Sequence, residues 1–415
     1  MARNTSRTPS SKLAARGRTT TKPKPKVKLM PKPKVMAKPK VMAKPKPMLK
    51  PKTKVVKKVL SGRRTRPNAK ARPSQQKLSQ AMMAETVAPP ASHSIPANVP
   101  DYAQLPIRVG APTGAAWGVF GDDDQLGTIN LMTSERVVQA SGFIRNGRVF
   151  SLNLPIDIPD PPLFTRGKHR HVIKQFASYI LDDYLDNFYP QASSQWDALS
   201  HVKHPQMGAY NGIPDSEITG YGGTKLGIDN LARRGIAGRG ILADVARFYG
   251  RQGRQLNCAT NDVVPLEDVV ATLDAQGTKV WPGDVLLVRV GWTKAYKAMT
   301  EEQKSELARE TKSPGIEGSR RTASWLWEQH IAAVASDSPG LEAIPPPNVG
   351  DFMEANDLLH FHMLSFFGMP IGEMWNLEEL AEDCANDNRY EFFFTSEPLN
   401  IPGGVGSPPN ALAIK

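Results

Sequence analysis

An α/β domain behind a long basic arm is the architecture this sequence predicts. Three observations carry that expectation. The 415-residue chain has a formal net charge of +13, but residues 1–90 hold 26 of its 53 Lys and Arg with one acid, Glu85, so this part carries +25 and the remainder −12. The same 90 residues contain no Trp, Phe or Tyr, and so offer nothing to build a core around. Beyond them, short apolar runs with strand character alternate with segments of helical periodicity.

The arm comes first. From Lys32 a six-residue period runs as Lys-Pro-Lys-Val-Met-Ala, twice, then Lys44-Pro-Lys-Pro-Met-Leu and Lys50-Pro-Lys. Each proline fixes φ and removes a backbone donor, and the like charges repel, so residues 1–90 read as a disordered arm biased to polyproline II. Three roles stay open for it. It is a solvated extension, or an attachment to a polyanion such as nucleic acid or an acidic membrane surface through counterion release. Alternatively it is an organelle transit peptide, which the acid-free, Arg- and Ser/Thr-containing first 20 residues suit. Residues 91–105, rich in Pro and Ala, read as a linker, and residues 106–415 as the folded domain.

Within that domain 147–155 reads as a strand and 228–235 as a short helix stopped by Gly235. A strand is expected at 241–245 and a helix at 266–276. After the turn Pro282-Gly-Asp284 a buried strand is expected at 285–290. A helix at 322–329, a strand at 331–336, a helix at 357–367 and an extended segment at 369–373 complete the alternation.

Several classes are excluded. No run of about 18 apolar residues exists to cross a membrane, and no apolar signal-peptide core is present. Two cysteines, Cys258 and Cys384, build neither a disulfide framework nor a Cys-rich zinc site, so a reducing compartment, the cytoplasm, is expected. Neither a nucleophile elbow, a Walker-type phosphate loop nor a His-Glu-x-x-His motif occurs.

Two polar clusters carry potential chemistry. The first runs Gln191-Ala-Ser193-Ser194-Gln195-Trp196-Asp197-Ala-Leu-Ser-His201; the second is His360-Phe-His362 with Glu373 after the turn Gly368-Met-Pro370. An Asp, a His and a Glu brought together form a mixed N/O ligand set suited to Zn²⁺, Mn²⁺ or a similar divalent ion. Taken singly, each residue also reads as an ordinary structural group.

These clusters, together with Gly235-Ile-Ala-Gly-Arg-Gly-Ile-Leu-Ala-Asp244, Pro282-Gly-Asp-Val-Leu-Leu-Val-Arg289 and Gly403-Gly-Val-Gly-Ser-Pro-Pro-Asn410, resemble the putative cyclase family, which includes kynurenine formamidase and isatin hydrolase. The resemblance runs from about Pro106 to Ile414. It implies a swivelling β/β/α fold, metal-dependent hydrolysis of an amide, formamide or cyclic amide, an arylformamidase-like role in tryptophan catabolism, and a homodimer. Carried over by position, it makes Asp197, His360 and Glu373 metal ligands, Gln195 a fourth ligand or a group just behind them, and His201 the general base. The family's two other metal-binding histidines fall on Gln191 and Gln195, so the chain resembles a Gln-Trp-Asp branch, for which a harder, oxygen-preferring ion in place of zinc, or a metal-free site, stays open. On the same reading Trp196 stacks on a planar substrate or fills the core, Ser193 and Ser194 donate to a developing oxyanion, and Gln191 lines the site. His169 and His171 line the mouth or belong to a solvated basic patch. The substrate is a small amide or lactone. The alternatives are a lactonase or a cyclase/dehydratase on the same scaffold, or a non-catalytic ligand-binding domain tethered to nucleic acid by the arm.

Overall fold

The computed structural model describes residues 99–219, 224–347 and 358–415. The basic arm of 1–90, with the three roles considered for it, lies outside the described residues, as does 91–98 of the expected linker. The rest of that linker is not a spacer. Residues 102–104 form a 3-10 turn, Tyr102 donates its backbone N–H to Glu328 at 2.7 Å, and the indole of Trp327 donates to the carbonyl of Pro100 at 2.9 Å. Leu105 is buried, which gives the segment an apolar anchor in the domain.

The described strands, in chain order, are β1 (Val149–Ser151), β2 (Arg170–Ala177), β3 (Ile180–Asp186), β4 (Gln195–Asp197), β5 (Ile236–Ala243), β6 (Val263–Val264), β7 (Val285–Val288), β8 (Gly315–Ile316), β9 (Ala333–Ser336), β10 (Ile371–Glu373), β11 (Glu391–Ser396), β12 (Gly406–Ser407) and β13 (Ala411–Ile414). Nine of them form one mixed sheet in the order β1-β13-β11-β5-β7-β9-β10-β4-β12. Its centre, β5-β7-β9-β10, is parallel, and the flanking pairs are antiparallel. Helices 266–276 and 320–328 lie in the connections between the parallel strands, as parallel pairing requires. The fold is α/β, as expected.

The sheet is covered on both faces, and strand periodicity shows it. Leu286 and Val288 of β7 join one apolar cluster, with Ile241 and Val334; Val285 and Leu287 join the other, with Leu242, Ala333 and Ala335. Near-continuous apolar runs are what a strand buried on both faces needs.

Three element boundaries differ from expectation for identifiable reasons. The strand expected at 241–245 starts at Ile236 and takes in Gly238 and Gly240. A Cβ on Gly240 would lie 2.2 Å from the Phe392 ring, so glycine here admits a neighbouring aromatic rather than breaking the strand. The segment expected as an ordinary helix is, over Phe361–Phe367, a π-helix closed by Gly368 at φ 67°. The strand expected over 147–155 shrinks to three residues. The hairpin β2–β3 has no counterpart in the sequence reading. Among the described residues no helix is long and apolar enough to cross a membrane.

Candidate metal centre

The site is built where the antiparallel pair β10–β4 meets the π-helix. Glu373 pairs with Gln195 and Ile371 with Asp197. Directly opposed residues point to one face, so Gln195, Asp197 and Glu373 share a face while Trp196 between them points to the other. The helix turn ahead of Phe361 delivers His360 onto the carboxylates. π-Helical turns are frequent at functional sites because the extra residue re-aims a side chain.

The resulting geometry is tight and dry. Asp197, His360 and Glu373 are all buried, and one ligand atom from each lies within 4.8 Å of the others. His360 Nε2 is 3.2 Å from Glu373 Oε1 and 3.6 Å from Asp197 Oδ2. Behind it, Glu342 holds the imidazole: Oε2 is 2.8 Å from Nδ1, and Oε1 accepts the His360 backbone N–H at 3.2 Å. A carboxylate on the far nitrogen fixes the tautomer and aims Nε2 at the cluster, an arrangement common behind metal-bound histidines.

The electrostatics ask for a cation. Burial, then the charge of Asp197, pushes the Glu373 carboxyl up to about 7. Burial acts against Asp197 and Glu342 as well, but the charges around them prevail: His201, His360 and Arg166 hold Asp197 below the ordinary carboxylate value, and His360 does so for Glu342. The same carboxylates hold the imidazole of His360 well above 6.5 against the burial that would lower it. Three buried carboxyls face one imidazole. Asp197 Oδ2 and Gln195 Oε1 are buried with no hydrogen-bond partner. An orphaned carboxylate oxygen 3.6 Å from a His nitrogen, with a second carboxylate 3.2 Å from the same nitrogen, is the donor set a divalent ion takes, so Asp197, His360 and Glu373 fit such an ion.

Each residue expected at the site has a definite place. His201 Nε2 lies 3.7 Å from Asp197 Oδ1, and its Nδ1 is 3.1 Å from Gln191 Nε2. Gln195 turns its amide N–H₂ to Asp197 and Glu373. A half-turn of that amide would exchange it for the carbonyl oxygen. Trp196 is a correction: it is fully buried in the opposite core, edge-on to Trp375 at 4.8 Å, with its N–H donated to Ser396, so it cannot stack on a substrate. Ser193 and Ser194 are also corrected. Their hydroxyls donate to the carbonyls of Pro155 and Met374, and Ser194 also accepts from the Leu154 N–H, which leaves no proton for an oxyanion. His171 lies on the exposed hairpin against Asp183, and His362 is buried beside Phe366.

Two residues were missed. Glu342 gave only a faint signal, an acid between Leu341 and Ala343 in a small-residue turn. Arg166 gave none. Two successive left-handed residues, Phe164 (φ 57°) and Thr165 (φ 58°), turn the chain so that its guanidinium lies over the Phe164 ring and donates to the Gln191 carbonyl, within electrostatic reach of Asp197 and Glu373.

Comparison with known proteins places this geometry in context. A family model described as putative cyclase matches residues 143–343. A crystal structure described as a novel cyclase is 37% identical, covering 72% of this chain and 99% of its own, with a TM-score of 0.64. Isatin hydrolase A from Labrenzia aggregata (17% identity, 67% and 97% coverage, TM-score 0.45) and from Ralstonia solanacearum (16%, 66% and 93%, 0.46) also match. No curated protein matches.

Proposed function

The chain belongs to the putative cyclase family, and from that premise we propose that it is a metal-dependent hydrolase of a small amide, formamide or cyclic amide. The observation that carries the reading is the buried Asp197–His360–Glu373 cluster with Glu342 behind its histidine. Those three residues would hold a divalent ion such as Zn²⁺ or Mn²⁺. When bound, such an ion supplies Lewis-acid polarisation of a carbonyl and a lowered pKa for water.

The chain's own residues do the rest. His201 is the proton acceptor and later donor. Burial pushes its imidazole below 6.5 despite the nearby Asp197, so it is neutral at neutral pH, as a base must be. Gln191 sets its tautomer: the amide N–H₂ lies 3.1 Å from Nδ1, and the half-turn that puts the carbonyl there instead, on Nδ1–H, frees Nε2 to take a proton from water. Asp197 stabilises the imidazolium that then forms. Arg166 supplies the cationic donor the committed serine hydroxyls cannot, facing negative charge that develops on the substrate.

The test is an activity screen of the metal-loaded full chain against arylformamides, cyclic imides and lactones. Hydrolysis of an amide or formamide, lost in chelator and restored by Zn²⁺ or Mn²⁺, is the expected result. The acid limb of its pH profile should fall below pH 6.5, because the His201 shift is downward. Full activity in chelator, with no metal found by elemental analysis, would sink the reading. Glu342→Gln should weaken Zn²⁺ binding roughly 10- to 100-fold in calorimetric titration, because it loosens the hold on His360 Nδ1. An unchanged affinity would show that Glu342 does not aim the ligand.

A further inference from the structure

A cleft of about 520 Å³ opens at the carboxyl ends of β5 and β7, and no residue of the metal centre lines it. The carboxyl ends of parallel strands are where open α/β sheets take ligands, and the volume falls within the roughly 300–1,000 Å³ of small-molecule sites. Its walls are the helices that follow those two strands, Val245–Arg251 and Trp292–Ala298, with the loop 254–258 and Glu382. Two sequence motifs end here. The glycine-rich segment from Gly235 closes on Asp244 and the segment from Pro282 on Arg289, and these two side chains pair at 2.7 Å. The metal chemistry uses neither.

The charged side chains of the lining are Arg247, Arg254, Arg289 and Lys294 against one acid, Glu382. The arginines are held by carboxylates that lie outside the lining. Asp244 accepts from Arg247 and Arg289, Glu378 takes two further N–H of Arg289, and Asp268 takes one of Arg254. These bonds fix the guanidinium groups without exhausting them. Arg289 spends three of its five N–H, and Arg247 spends two, the second on Glu382. The Glu382 side chain is 66% exposed, so its pair with Arg247 is worth little and gives way to a better-placed anion. Lys294 is exposed and joins no ion pair among the described residues.

Spare guanidinium donors beside an unpaired ammonium suit a compact dianion, and Leu256, Val290 and Ala295 offer apolar wall for an organic remainder. Cys258, also in the lining, is buried. That burial, then the charges of Asp337 and Asp262, pushes its thiol up to about 12, so it stays neutral and does not attack a bound ligand. We propose that this cleft is a second ligand site, separate from the metal centre, for a small organic phosphate monoester.

Calorimetric titration of the full chain with glycerol 3-phosphate tests this, at about 0.15 M salt so that the general pull of the basic residues 1–90 is screened. One phosphate ester should bind per chain, and uncharged glycerol should not. Succinate, which offers carboxylates in place of phosphate, should bind at least roughly tenfold more weakly. Lys294→Gln and Glu382→Gln alter exposed side chains, so both variants fold. The first should weaken binding roughly tenfold, and the second, which removes the competing carboxylate, should tighten it severalfold. Phosphate is also a metal ligand, so the titration is repeated after chelation and dialysis, with the same affinity expected. No binding overturns the proposal. So does binding that ignores both variants or disappears with the metal, since the arm or the ion would then hold the phosphate. Succinate binding as tightly as the ester would overturn the phosphate assignment.

Discussion

Asp197→Asn should leave the protein folded and without its divalent ion, with hydrolysis down roughly a thousandfold, the ~4 kcal/mol scale of a lost Lewis acid and a misaligned base. Asp197 is fully buried, offers an unpartnered Oδ2 beside His360 Nε2, and places Oδ1 at 3.7 Å from His201 Nε2, so one substitution touches the ion and the proton acceptor together. Thermal stability separates this from simple misfolding. In chelator, the wild type keeps Asp197 against Glu373, and that repulsion helps drive the Glu373 carboxyl up to about 7. The neutral asparagine relieves it but gives up the attraction of His201, His360 and Arg166 that holds Asp197 ionised, so the variant melts somewhat below metal-free wild type and the response to added ion is the deciding readout. At a hundredfold excess of ion over Kd the wild type gains about 2.7 kcal/mol, and the variant gains nothing. A variant that still gains stability from Zn²⁺ as the wild type does would show that Asp197 is a structural carboxylate and not a ligand.

The parts of this architecture that a sequence reader can find are those whose physics is local. β7 is an apolar run of four residues and β9 one of three before Ser336, each behind a turn or helix end, and burial on both faces demands that composition. Gly235 ends its helix at φ 66°, a conformation glycine adopts freely. The hairpin β2–β3 was invisible for the converse reason. Neither of its faces packs on the core, so apolar and charged residues alternate without any face to pattern them. The π-helical turn was likewise hidden, because its extra residue is set by packing against Trp117 and His204, through Ser365, rather than by its own sequence.

The site divides the same way. Asp197, His201, His360 and Glu373 carry chemistry in their side-chain types, so resemblance to a family motif locates them. For Trp196 the core reading prevails over the stacking one because a motif gives spacing but not facing: strand alternation sends it to the opposite core from its neighbours Gln195 and Asp197. Ser193 and Ser194 have the right chemistry, but their protons are taken by the carbonyls of Pro155 and Met374, both brought in from elsewhere in the chain. Glu342 and Arg166 act through tertiary contacts to His360 and Gln191, and no spacing rule connects them.

Arg239→Met is expected to cost about 3–5 kcal/mol of stability, far from the chemistry. Arg239 enters from β5 and is almost wholly buried. Its guanidinium lies 3.9 Å from the Trp281 ring centre and donates to Asp284 Oδ2 at 2.8 Å, to the Lys279 carbonyl at 3.0 Å and to Glu391 at 3.4 Å. One side chain thus ties β5, the turn into β7 and β11. Methionine keeps the apolar contact and removes the charge, which strands the buried Asp284 carboxylate. Burial already holds that carboxyl at about 7 with Arg239 pulling it down, so without the arginine it rises further. The sign of the pH dependence follows. A carboxyl whose folded pKa exceeds its unfolded 3.8 contributes its stability below 3.8 and loses it as pH rises through the folded value, by about 1.4 kcal/mol per pH unit across that window. Wild type shares that loss up to about pH 7, so the deficit of Arg239→Met should be flat from pH 4 to about 7 and widen above it, toward the variant's higher folded value, in urea titrations. Adding Asp284→Asn should recover most of the loss at pH 8, because the stranded charge and not the missing guanidinium is what costs. A deficit that is flat with pH, or a double variant as unstable as the single, would mean that the stack on Trp281 and the strand ties, rather than the buried charge pair, hold this end of the sheet together.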